Sequence, residues 1–273
     1  MPHCPVPGPV YTGPMPVNAD ATQEFQAAIE RLSQVSGGNA LSYIADHGRR
    51  CIDDAVRLSR MRPGGKILNV GGRPYLFEYI ARELEMDVDT LDLSPDRNPA
   101  EIADLGIDVR ALDFEKPEDR AKIDLEAYDI ICLAEIIEHM RHDLVGTFRD
   151  LSHRMRRDAL AYVTTPNFYY APAILKTLSS GRSGPSLVRE WGKLERVGHM
   201  GHVREYARSE LRDFFRFTGF DIQSSVVRNS RFSPLRGGGL AQMPVRAVAR
   251  FLSGRFDLFG QELIFILAPA DSA

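Results

Sequence analysis

Short apolar runs alternate with helical patterns through the middle of the chain. Residues 66–70 form an apolar run after the turn Arg62-Pro63-Gly64-Gly65, and Gly71-Gly72 follows it. A helical pattern covers 77–85. Further strands are predicted at 88–93, 109–113, 128–134 and 160–164, with a helix over 144–155. The run 128–134 is nearly all apolar, as expected of a strand buried on both faces. A helix over 208–218, closed by Gly219, precedes two final strands at 221–228 and 261–268. Strands alternating with helices imply an α/β protein with a doubly wound, mostly parallel sheet.

Other patterns flank this unit. Residues 1–19 are rich in proline and read as an extended, flexible arm. Phe25, Ala28, Ile29 and Leu32 share a helical face, Gly37-Gly38-Asn39 breaks it, and a second helix is predicted over 41–61. The organisation expected is an arm (1–19), a helical segment (20–62) and an α/β domain (63–273). Residues 168–201 interrupt the strand–helix rhythm and read as an insertion capping a substrate site.

Composition narrows the classes. The 273 residues are 44% hydrophobic and 26% charged, with a formal net charge of −3. That excludes a disordered chain and gives no general drive toward DNA or RNA. Three cysteines, Cys4, Cys51 and Cys132, provide no disulfide framework. The longest apolar runs, such as 263–268, are too short to span a bilayer, and no signal-peptide pattern opens the chain. A cytoplasmic protein is expected.

Ligands of a doubly wound sheet sit beyond the carboxyl ends of its strands, where strand order reverses. Three strand ends carry suitable residues. Gly71-Gly72 allows close approach to the backbone, Asp92 can accept ribose hydroxyls, and Asp113-Phe114 offers a base edge and face. The G-x-G-x-x-G of dinucleotide sites is absent, because the loop reads Gly71-Gly72-Arg73-Pro74-Tyr75. These segments, with Asn69, Leu91-Asp92-Leu93-Ser94 and the stretch Tyr128 to His139, resemble the class I S-adenosylmethionine-dependent methyltransferases. The resemblance extends through Thr164-Thr165-Pro166-Asn167 and Gly201 to Leu211. It implies a Rossmann-like seven-stranded sheet with the last strand antiparallel. It also implies S-adenosylmethionine bound by Asn69, Gly71, Gly72, Asp92, Asp113 and Phe114. The family usually carries an acid where Asn69 stands, and more glycine where Arg73 and Tyr75 stand. The Gly-Gly-Arg-Pro-Tyr variant resembles methyltransferases of bacterial polysaccharide loci.

Glu135, Glu138 and His139 follow the fourth strand. On a helix starting there, these positions would share one face. Two carboxylates and an imidazole at one point repel unless a cation neutralises them, and this donor set suits Mg²⁺ or Mn²⁺. A fourth ligand is expected from His199 or His202. Glu135, Glu138 and His139 followed by His199, His202, Glu205 and Tyr206 resemble the metal-dependent small-RNA 3′-end 2′-O-methyltransferases. That match implies His202 as the fourth ligand and His199 close to the reacting hydroxyl. The expected reaction is methyl transfer to a hydroxyl of a small-molecule or oligosaccharide acceptor, with His142 or His199 as base and a homodimer as one assembly. Alternatives are RNA 3′-end methylation, a metal-independent O-methyltransferase using a histidine base, and a nucleotide-binding scaffold.

Overall fold

The structure, a computed structural model, describes residues 38–73, 75–95, 102–103, 105–181, 188, 190–192, 195, 201–229, 248, 251–252 and 255–271. The proline-rich arm, the first helical pattern, His199 and the basic residues Arg182, Arg189, Lys193 and Arg196 lie outside them.

A long helix, α1 (Gly38–Met61), leads into β1 (Lys66–Val70) through a turn in which Gly64 adopts φ 67°. The chain continues with α2 (Leu76–Glu83), β2 (Asp87–Asp92), β3 (Val109–Ala111) and a short α3 (Pro117–Arg120). Then come β4 (Ile130–Ala134), α4 (Leu144–Arg154), β5 (Leu160–Pro166) and α5 (Ala171–Ser180). It closes with α6 (Arg208–Phe217), β6 (Phe220–Arg228) and β7 (Glu262–Pro269). The sheet order is β3-β2-β1-β4-β5-β7-β6. β1, β2, β3, β4 and β5 pair in parallel, and β7 runs antiparallel to both β5 and β6. This is the expected seven-stranded α/β sheet.

Strand periodicity sorts the core into two layers. Leu68, Ile131, Leu133, Val163 and Phe265 face one cluster, closed by Phe148 and Leu151 of α4 and Leu211 and Phe215 of α6. Ile67, Cys132, Tyr162 and Ile264 face the other, closed by Ile52, Ala55 and Leu58 of α1 and Leu76 and Ile80 of α2. With apolar groups on both faces, β4 has the sequence of a fully covered strand.

Three strand limits differ from the sequence pattern by two residues. β3 stops at Ala111 because the Asp113 amide donates to the Asp119 carboxylate, not to the ladder. Tyr128 precedes β4, with its hydroxyl donating to Asp89 and accepting from Arg110. β5 extends to Pro166 because β7 pairs with it as far as Pro166↔Glu262. Beyond that pair, the Asn167 side chain donates to the carbonyls of Leu258 and Gly260, at 2.9 and 2.7 Å. Asn167 thus ties the ends of β5 and β7 together beside the site.

Candidate active site

The order reversal falls between β1 and β4, and the sequence-predicted cofactor residues lie at the ends of β1, β2 and β3. Gly71 takes φ 81°, a conformation that strains any residue bearing a Cβ. A Cβ there would meet Ile136 at 2.3 Å. The backbone returns to the left-handed region at Tyr75 (φ 63°), which caps α2 without a side-chain bond to the helix end. This explains why glycine suits that position. The Tyr75 ring is buried, and its hydroxyl donates to Asp92 at 3.5 Å. The other Asp92 oxygen accepts from the Ser94 amide. Asp113 accepts from the Glu115 amide and pairs with Lys116 at 3.6 Å. Phe114 is 4% exposed and belongs to the apolar core. Its ring packs among the core side chains in this structure.

Asn69 is not an acid, yet it holds one. Its amide donates at 2.7 Å to Glu78, which reaches from α2 and also accepts from the Thr90 hydroxyl at 3.0 Å. Glu78 is fully buried, and burial pushes its carboxyl up to about 7. A raised carboxyl pKa contributes stability that is complete below about 4.5 and lost as pH rises through about 7. The displacement corresponds to on the order of 3 kcal/mol. Denaturant titrations at pH 5 and 8.5 are therefore expected to show Glu78→Gln losing less stability between the two pH values than wild type. Identical losses in the two proteins would assign the decline to other groups.

After β4 the chain departs from the expected helix. The Glu135 amide donates to the Thr164 carbonyl, extending the ladder, and Glu135 then takes φ 59°. Ile137–His139 form a single 3₁₀ turn. Glu135, Glu138 and His139 consequently do not share one helical face, which corrects the sequence expectation. The ligating atoms of Glu138, His139 and His202 lie within 4.8 Å of one another, and Glu135 stands outside this group. His142 is exposed and also outside it, with its backbone amide donating to Glu115.

Each member of the group is oriented by a neighbour. Thr165 donates to Glu138 Oε2 at 3.0 Å, and the buried Oε1 accepts nothing. Burial lifts the Glu138 carboxyl to about 7. His139 Nδ1 lies 3.2 Å from the Gly201 carbonyl, and His202 Nδ1 lies 3.1 Å from Glu205. Because a carbonyl and a carboxylate only accept, each of these contacts calls for a protonated Nδ1, and Nε2 is then the nitrogen of each ring suited to hold an ion. The rings meet edge to face at 5.1 Å. The Val203 amide donates to the Glu138 carbonyl at 2.7 Å, docking the histidine loop on the turn. A carboxylate oxygen without a donor beside two imidazoles is the donor set of a dication site, so these residues fit such an ion.

Glu135 turns instead toward a buried charge network. Its carboxylate pairs with Arg50 of α1 at 2.8 Å. Arg228 of β6 pairs with Asp54 at 2.6 Å and with Glu262 at 2.7 Å, and the Tyr162 hydroxyl donates to Asp54. Burial, and next the adjacent Glu262, hold the Glu135 carboxyl far above its usual range. Arg50 thus faces Glu135, and Arg228 faces Asp54 and Glu262. This network floors a cavity of about 200 Å³, lined also by His47, Asn167, Tyr170, His202 and Glu205. The cavity and the dication group share His202.

Sequence reading missed Glu78, Arg50, Asp54, Arg228 and Glu262. A signal existed for two of them. His47, Arg50, Asp54 and Arg57 recur at helical spacing along α1, a polar stripe that ordinarily means solvent but here faces the sheet ends. Glu78 and Glu262 carry no such signal, because each is one acid among apolar neighbours.

The profile of a family described as a methyltransferase domain matches residues 43–225. No curated protein matches the sequence. Among solved structures, a methyltransferase from Haloferax volcanii in complex with the Trm112 methyltransferase activator shares 17% identity. It aligns over 92% of this chain and 98% of its own, with a TM-score of 0.57. An S-adenosylmethionine-dependent methyltransferase from Archaeoglobus fulgidus shares 13% identity over 83% of this chain and 99% of its own, at 0.53. One from Mesorhizobium loti shares 18% over 75% and 91%, at 0.50.

Proposed function

We propose a reaction on one premise, that this chain belongs to the class I S-adenosylmethionine-dependent methyltransferases. The reaction is transfer of the methyl group to a hydroxyl of a carbohydrate or similar polyol, assisted by Mg²⁺ or Mn²⁺. The observation that carries this reading is the Glu138–His139–His202 group opening beside a cavity rich in acceptors. Glu135 and Glu262, both on the cavity wall, each hold a buried carboxyl oxygen that accepts no hydrogen bond. Such oxygens are costly to bury, and hydroxyl donors of a ligand satisfy them. An apolar acceptor leaves both unsatisfied. The Tyr170 ring on the same wall suits the apolar face of a sugar ring.

When bound, S-adenosylmethionine supplies an electrophilic sulfonium methyl, and a dication supplies the Lewis acidity that lowers the pKa of a hydroxyl. The chain's own residues do the rest. Glu138 and the Nε2 atoms of His139 and His202 are the donors that hold the ion. Thr165, Gly201 and Glu205 fix their orientations. Arg50 keeps Glu135 in place on the cavity wall. His199, three residues before His202, is the proposed proton acceptor, because a neutral imidazole can take a hydroxyl proton near pH 7. Positioning the hydroxyl in line with the methyl then contributes much of the rate.

The test is a methyl-transfer assay against a panel of free sugars, oligosaccharides and simple phenols. Transfer to a sugar is expected to be lost with a chelator and restored by Mn²⁺. Chelator-resistant transfer would remove the dication from the reading, and transfer to phenols alone would remove the polyol.

A further inference from the structure

Among the described residues of the segment 188–195, exposed and buried side chains stand the wrong way round. Val188 is 83% exposed and Trp191 59%, whereas Glu190 is 4% exposed. Residues 188, 190–192 and 195 are helical, so this stretch presents two large apolar groups at the surface and buries an acid. Glutamate is almost never buried so deeply unless a partner holds it. One partner is the Gly201 amide, which donates to Glu190 Oε2 at 2.6 Å. A backbone amide on a carboxylate at that distance is a strong, charge-assisted bond.

Gly201 uses its other backbone group on the dication group. Its carbonyl lies 3.2 Å from His139 Nδ1, while His139 Nε2 lies 4.0 Å from Glu138 Oε1. An imidazole in water carries its proton mostly on Nε2, the nitrogen an ion would need bare. The bond made at the other nitrogen decides which form is present. A carbonyl can fix a ring in this way only if its own position is fixed. Beyond His202, the loop 201–206 is pinned by the Val203 amide, which donates to the Glu138 carbonyl at 2.7 Å. Before His202, it is pinned by Glu190. Thr165 orients Glu138 and Glu205 orients His202, and Gly201 held by Glu190 completes the set for His139.

We propose that Glu190 is a positioning residue of the dication group. It holds Gly201 where the Gly201 carbonyl keeps His139 in the Nδ1–H form and leaves Nε2 for the ion. The role needs an acceptor of this length and not a charge. The proposal rests on the reading of Glu138, His139 and His202 as a dication site.

Two readouts test it in Glu190→Leu, which keeps the bulk and loses the acceptor, and in Glu190→Gln, which keeps both. The first needs no ion: ¹⁵N spectra of the histidine rings at pH 8.5 report which nitrogen carries the proton, with the His139 signal identified by its loss in His139→Gln. The second is the Mn²⁺ affinity of the S-adenosylhomocysteine-saturated protein. Wild type and Glu190→Gln are expected to keep the His139 proton on Nδ1. Glu190→Leu is expected to move it largely to Nε2 and to weaken Mn²⁺ binding about 10–100-fold, the usual cost of losing a group that orients a metal ligand. Its S-adenosylhomocysteine affinity is expected to be unchanged. A Glu190→Leu protein with the wild-type His139 spectrum, or with the wild-type Mn²⁺ affinity, would overturn the proposal. So would one that loses S-adenosylhomocysteine binding in step with Mn²⁺, because that marks Glu190 as a general support of the fold. A wild type that takes up no Mn²⁺ contradicts the dication reading, a separate failure, and the His139 spectra then still decide whether Glu190 sets the ring.

Discussion

Glu138→Gln is expected to lower methyl transfer by at least ~100-fold while S-adenosylmethionine binding is retained. Substitutions beside a metal ligand already cost about 10–100-fold, and Glu138 is a proposed ligand. The amide keeps the size of the side chain, and its oxygen can still accept from Thr165, now 3.0 Å away. What it loses is the negative charge facing His139 and His202. A fold lesion is separated from a chemical one by the binding measurement, because the proposed cofactor residues Asn69, Gly71 and Asp92 lie at the ends of β1 and β2 and Glu138 is not one of them. Full activity in Glu138→Gln would remove the carboxylate from the chemistry.

Arg228→Leu is expected to be the most destabilising substitution in the network, by about 3–5 kcal/mol in urea denaturation, because it strands two buried acids. Arg228 holds Asp54 at 2.6 Å and Glu262 at 2.7 Å, and the side chains of those acids are 2% and 5% exposed. The triple variant Arg228→Met, Asp54→Leu, Glu262→Leu removes the charges together, and is expected to regain most of that stability. If the triple variant is no more stable than the single one, packing and not the stranded acids accounts for the loss. The network joins α1 to β6 and β7 across the cavity floor. An intact but inactive triple variant would therefore mark these charges as part of the acceptor site.

The fold was legible because its determinants are local. The apolar runs of β1 and β4 and the alternation of strand and helix specify a covered parallel sheet, and those runs are nearly all buried. The positions of Gly71, Asp92 and the Glu138–His139 pair after strands were legible because the strands themselves were, and the fold presents ligand groups at such ends. Less legible were side chains whose partners lie far along the chain. Arg50 meets Glu135 across 85 positions, and Asp54 meets Arg228 across 174. Helical spacing cannot show whether a polar stripe faces water or a strand end. Glu135 was misread because the helix assumed after β4 does not form there: its amide stays in the ladder to Thr164, and its carboxylate is drawn to Arg50. The burial of Phe114 was not legible, because an aromatic at a strand end looks the same in sequence whether it packs into the core or stands open.

One measurement bears most directly on the Glu138–His139–His202 group: titration of Mn²⁺ into the S-adenosylhomocysteine-saturated protein, read by the loss of the free-ion paramagnetic signal. One ion is expected to bind per chain in wild type, and none in His202→Ala. A wild type that takes up no Mn²⁺, or a His202→Ala protein that binds it equally well, would contradict the dication site and the polyol chemistry built upon it.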